Sequence, residues 1–181
     1  MARSSSKFRA LGAFGSWALL ATIGSSICAG CMLLIADDQG SNPERNRDTL
    51  VLRFGTGVGD SRVLKGGWAA MEPWGVWSNM TEAELSIWVG RAKNDIDLEL
   101  RARGIVPQEV RVAANGEDIG TVQLNNRTAK ASVKIAREIA AKQSPLRLVF
   151  HVPEMRSPAE LGIGADTRKL GIALESATVT Y

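Results

Sequence analysis

Residues 49–181 fall into short runs in which apolar and polar side chains alternate, separated by Gly, Pro and Asn, and this period of two constrains the fold most. Successive side chains of an extended strand point to opposite faces, so such a run buries one face and leaves the other in water. Leu85, Ile87 and Val89 share a face of residues 84–89, and Ile96, Leu98 and Leu100 share a face of residues 96–100. These two strands are expected to pair as neighbours across residues 90–95. Asn115 and Gly116 supply the positive φ angles of a tight hairpin turn within residues 109–124. Ala131, Val133 and Ile135 alternate with Lys130, Ser132 and Lys134; Leu146, Leu148 and Phe150 alternate with Arg147, Val149 and His151; Ile172, Leu174, Ala177 and Val179 mark the last strand. Only residues 136–143 are rich in helix formers, and Pro145 limits them to two turns. About eight or nine strands at this spacing predict an all-β antiparallel β-sandwich.

Ahead of it, residues 10–36 contain no charged side chain, more than the roughly 20 residues a helix needs to span a bilayer. Arg3, Lys7 and Arg9 precede this run and Asp37 and Asp38 follow it, so the positive-inside bias predicts a cytoplasmic N-terminus. The expected plan is a basic cytoplasmic tail (1–9), a transmembrane signal anchor (10–36), a polar linker (37–48) and a periplasmic β-sandwich (49–181). A processed signal peptide is the rival reading, since Ala29 and Gly30 are small before Cys31; but Cys28 stands where a lipoprotein site has Leu or Val, and apolar residues 32–35 follow. Ala21, Gly24, Ser25, Cys28 and Ala29 form a small-residue stripe at helical spacing, a face on which an inner-membrane protein partner could pack closely.

The formal net charge is +3, yet Arg3, Lys7 and Arg9 precede every acidic residue, which leaves 19 cationic and 19 acidic groups in the remainder. Such a neutral, mixed domain lacks the electrostatic footprint of a nucleic-acid binder. Both cysteines, Cys28 and Cys31, lie in the apolar segment, so the sandwich is expected to have no disulfide and no thiolate metal site. Neither metal nor cofactor is expected. His151 is the only histidine, and no nucleophile elbow accompanies it, so no catalytic residues are assigned. Glu72 with Asp166 would serve two-carboxylate glycoside hydrolysis only if they faced each other.

Four of the five tryptophans, Trp68, Trp74, Trp77 and Trp88, fall within residues 66–89. An indole can fill a core or stack on a sugar face. Trp74 and Trp77, set around Gly75 in a Pro-containing turn, are better placed to face solvent, yet filling a core or pinning a loop is preferred for both over a ligand platform, while Trp88 is out of phase with Leu85 and Ile87 and could face either side.

Residues 71–78, Met-Glu-Pro-Trp-Gly-Val-Trp-Ser, and residues 157–172, with Ser157-Pro158, Glu160-Leu161-Gly162, Asp166, Arg168 and Leu170-Gly171-Ile172, form two boxes in order. The pair resembles the C-terminal β-sandwich accessory domain of bacterial membrane phosphoglycerol transferases and related inner-membrane polysaccharide glycosyltransferases. Asn79 and Met80 stand where that family has an acidic residue and Gly. The resemblance implies a jelly-roll-like, carbohydrate-binding-module-like sandwich acting in envelope glycan assembly or modification.

The expected protein is non-catalytic and membrane-anchored, binding or positioning glycan for a partner enzyme, with Glu72, Trp74, Trp77, Asp166 and Arg168 as candidate ligand-binding residues. Two alternatives stand beside it: a structural subunit of an inner-membrane complex, and a two-carboxylate carbohydrate hydrolase.

Overall fold

The computed structural model describes residues 48–57, 59–90 and 92–181, so the expected anchor, its small-residue stripe and residues 37–47 of the linker lie outside the described residues. Among the described residues no helix is long and apolar enough to cross a membrane.

Nine strands are described: β1 (Thr49–Arg53), β2 (Val76–Trp77), β3 (Glu82–Ile87), β4 (Ile96–Gly104), β5 (Gln108–Ala114), β6 (Glu117–Leu124), β7 (Ala129–Ile135), β8 (Leu146–His151) and β9 (Ile172–Thr180). One sheet has the order β1-β9-β4-β7 with β2 also on β9, and the other has the order β3-β8-β5-β6. All pairings are antiparallel, and the two sheets face each other as a sandwich.

Alternation in the sequence becomes the core directly. Leu85 and Ile87 of β3, Ile96, Leu98 and Leu100 of β4, and Leu146, Leu148 and Phe150 of β8 are all buried between the sheets. Each such side chain contributes about 1.5–3 kcal/mol. The exposed ion pairs on the outer face, such as Lys130 with Glu99 at 2.9 Å, contribute about 0–1 kcal/mol each. Inward-facing apolar residues, rather than the charged ladder outside, therefore set the register.

One pairing differs from the sequence expectation. β3 and β4 are not neighbours: β3 pairs with β8, while β4 pairs with β7 and β9. Both apolar faces enter the same core, but from opposite sheets, because β3 and β4 belong to different layers. Period two identifies which face is buried and carries no information on which strand lies alongside.

β9 is flanked along one edge by two short strands in line. β1 covers Ser176–Thr180, and β2 covers Ala173 and Leu174. On the other edge its register with β4 steps from Arg101 opposite Ser176 to Ala102 opposite Leu174, leaving Glu175 unopposed as a bulge. The Glu175 carbonyl accepts the Phe54 N–H at 3.1 Å, just where β1 gives way to β2. This bulge explains the uneven spacing of Leu174 and Ala177 within one buried face.

The expected hairpin joins β5 to β6, with Asn115 at φ 48° and Gly116 at φ 87°. Asn115 also anchors the tip: its Nδ2 donates to Ile139 O at 2.9 Å, in the one-turn helix α1 (Arg137–Ala140), and its Oδ1 accepts Arg147 N–H at 2.9 Å. Asn115→Gly keeps the backbone freedom and loses these bonds, so it should cost about 1–2 kcal/mol; Asn115→Ala adds left-handed strain and should cost about 1 kcal/mol more. Urea denaturation of the two variants beside the parent measures the difference.

Candidate functional site

The first box builds a tight turn. Glu72 and Gly75 exchange backbone bonds, Glu72 N–H to Gly75 O at 2.7 Å and Gly75 N–H to Glu72 O at 3.2 Å. A Cβ on Gly75 would lie 2.3 Å from Leu174 O, so only glycine lets the turn rest on β9. Ser78, fully buried, then joins the second box: its N–H donates to Ile172 O at 2.7 Å, and its Oγ accepts the Ile172 N–H at 2.9 Å.

The second box is organised by its own side chains. Ser157 Oγ accepts the Glu160 N–H at 3.2 Å and Glu160 Oε2 accepts the Ser157 N–H at 3.1 Å, the reciprocal exchange of a capping box. Glu160 also pairs with Lys169. Asp166 Oδ1 accepts the Arg168 N–H at 2.9 Å, and the Arg168 guanidinium grips the same carboxylate through Nη2 at 2.6 Å and Nε at 2.9 Å.

Arg168 Nη2 reaches on to Glu72 Oε1 at 3.2 Å, and Glu72 Oε2 accepts the Trp74 Nε1–H at 2.9 Å. The structure thus brings Asp166, Arg168, Glu72 and Trp74 into one chain of hydrogen bonds between the boxes. Trp77 is joined through its ring, edge-to-face with Trp74 at a centroid separation of 5.7 Å. The Arg103 guanidinium sits 4.4 Å from the Trp74 centroid and 5.1 Å from that of Trp77.

The geometry decides between the two readings of these tryptophans, core or loop-pinning against ligand platform, in favour of the first. Trp77 does not face solvent: it is 8% exposed and packs with Ile105, Leu170 and Ala173. Trp74 is half-buried, with Arg103 over its ring. Among the described residues the exposed tryptophan is Trp88, at 71%. It follows the end of β3, whose Ala83, Leu85 and Ile87 point inward, so the next out-of-phase position turns away from the core. The sequence signal was that phase difference, which settles a direction once the inward set is known.

Trp88 lines a groove of about 550 Å³ between the edge strands β1 and β3. Leu52, Val63, Ile87 and Pro145 give it an apolar lining, and Asp60, Arg62, Lys65 and Ser86 supply polar groups. That volume lies within the usual range of small-molecule sites, about 300–1,000 Å³.

Elsewhere, His151 Nδ1 lies 3.2 Å from Glu82 Oε1 across the β3–β8 pair. Among the described residues no group of three His, Cys, Asp or Glu side chains converges as a metal site.

The clamp is electrostatically locked. Hydrogen bonds from Arg168 hold the Asp166 carboxyl below the usual carboxylate range, and Asp166 with Glu72 raises Arg168 above an ordinary guanidinium. Lys169 likewise holds Glu160 low. A depressed carboxyl stabilises the fold fully above its unfolded pKa, about 3.9 for Asp, and loses that contribution as pH falls through the folded value. Asp166→Asn should therefore lower the melting temperature at pH 7, and the gap from the parent should close as pH falls below about 4. Thermal melts across that range check both signs.

No curated protein sequence matches the chain significantly. Among solved structures, the chain is similar to the CBM36-1 domain of a multidomain xylanase from the hindgut metagenome of Trinervitermes trinervoides, at 13% identity and a TM-score of 0.44, covering 73% of this chain and 96% of that one. It is also similar to a carbohydrate-binding module CBM36 in complex with calcium and xylotriose, at 8% identity and a TM-score of 0.34, covering 74% of this chain and 93% of that one. A family model described as a domain of unknown function, DUF7024, matches residues 44–181, which include both boxes and every described strand, and the chain belongs to that family.

Proposed function

We propose that this protein is a non-catalytic, membrane-anchored module whose periplasmic sandwich binds glycan and positions it for a partner enzyme of envelope polysaccharide assembly or modification. The carrying observation is Trp88, a 71% exposed indole on the wall of a groove that also offers polar side chains. An exposed indole is costly to leave in water, and its flat apolar face suits the C–H face of a sugar ring while nearby polar groups meet the hydroxyls. The clamp of Glu72, Trp74, Asp166 and Arg168 spends its polar atoms on itself, so the glycan platform in this reading is Trp88, with the clamp holding the loops at its own end of the fold.

The non-catalytic reading draws support from the same clamp. Glycoside hydrolysis needs one carboxyl group to deliver a proton, commonly by having its pKa raised. Arg168 instead holds Asp166 ionised. Anchoring rests on the uncharged run of residues 10–36 and the cationic residues before it.

The full chain in detergent micelles, titrated with a panel of neutral and acidic oligosaccharides, should bind at least one of them. Trp88→Ala should weaken that binding by about tenfold while leaving the melting temperature unchanged, because the ring is exposed. Absence of binding across the panel, or a variant that binds as the parent does, would sink the glycan reading. Expressed in a bacterial host, the chain should stay with the membrane pellet through an alkaline wash; release into the supernatant removes the anchor.

A further inference from the structure

We infer that the Trp88 groove selects anionic saccharides, sugars carrying a carboxylate or a phosphate, through the guanidinium of Arg62 and the ammonium of Lys65. The inference rests on the glycan reading above and adds the charge of the ligand.

Over most of the sandwich surface, cations face carboxylates: Lys142 meets Glu117 at 2.7 Å, Arg147 meets Glu84 at 2.7 Å and Arg101 meets Glu175 at 3.4 Å. The groove departs from that pattern. Among the described residues neither Arg62 nor Lys65 has a carboxylate partner, and Lys65 Nζ donates to the Arg62 carbonyl at 2.9 Å. That bond leaves the Lys65 charge uncompensated and ties the two cationic residues into one turn, the 3-10 segment Ser61–Val63 and its exit.

Asp60 is the carboxylate on the groove lining, and it is engaged with backbone. Its Oδ2 accepts the Arg53 N–H at 3.3 Å, and its own N–H donates to Arg53 O at 2.8 Å. The groove therefore presents two uncompensated cations against one committed anion, beside an indole face. A guanidinium offers paired donors that match the two oxygens of a carboxylate or phosphate, whereas a neutral sugar uses no net charge. Stacking on Trp88 would hold the ring, and Arg62 with Lys65 would read its acidic substituent.

The test is isothermal titration of the full chain in detergent with tetragalacturonate and with cellotetraose, a neutral sugar of the same length, and competition by glucose 6-phosphate. The expected result is about tenfold tighter binding of the acidic sugar, a preference that shrinks between about 0.05 and about 0.5 M salt. Arg62→Ala should erase the preference and Arg62→Glu should reverse it, with melting temperatures unchanged, whereas Trp88→Ala should weaken both sugars together. Competition by glucose 6-phosphate with little affinity for tetragalacturonate assigns the substituent as phosphate, and the reverse assigns it as carboxylate. Equal binding of both tetrasaccharides with no competition by glucose 6-phosphate, unchanged by Arg62→Glu, overturns the inference and leaves the glycan reading standing. Binding of no saccharide overturns both.

Discussion

The seating of β9 is the constraint on which the larger sheet depends. It takes β4 along one edge and both β1 and β2 along the other, so three separate stretches of chain derive their extended geometry from it. The bulge at Glu175 makes this possible, because the local change of twist lets one strand serve two short partners in succession. The Gly75 turn can sit on Leu174 because glycine has no Cβ to meet the Leu174 carbonyl, and the buried Ser78 hydroxyl then fixes Ile172 at the start of the same strand. The two sequence boxes are thus opposite sides of a single junction.

Much of this was legible in the residues. The buried faces of β3, β4, β7 and β8 follow from alternation, that of β9 follows from it only on either side of the bulge, and the turn at Asn115 follows from the backbone conformation it requires. The identity of neighbouring strands did not follow: β3 and β4 carry similar apolar faces, and burial is satisfied equally by pairing side by side or by facing across a core. β2, with two residues, is too short to show a period.

The candidate site was legible in a different way. Glu72, Trp74, Trp77, Asp166 and Arg168 do come together, yet proximity in space is a separate property from availability. Arg168 satisfies two carboxylates and Glu72 satisfies an indole N–H, so the groups most suggestive of chemistry are the ones most occupied by one another. Trp88 was the harder residue to place, since a position next to the end of a strand turns inward or outward according to a phase that only the neighbouring buried residues define. What marks its groove is an exposed indole beside two cations, Arg62 and Lys65, that have no carboxylate partner among the described residues.

The central place of β9 also governs the order of assembly. β1 and β4, which flank it, precede it in the chain, and β1 pairs with β9 from Thr49 opposite Thr180. The smaller sheet is partly local, since β5 and β6 form a hairpin. The larger sheet has no such nucleus on its β9 edges: β1 and β4 must wait with open hydrogen-bonding edges until the last strand slides between them. Closure by insertion makes the sandwich a fold of high contact order, whose formation is expected to be slow and whose flanking strands are exposed to mispairing until the final strand arrives.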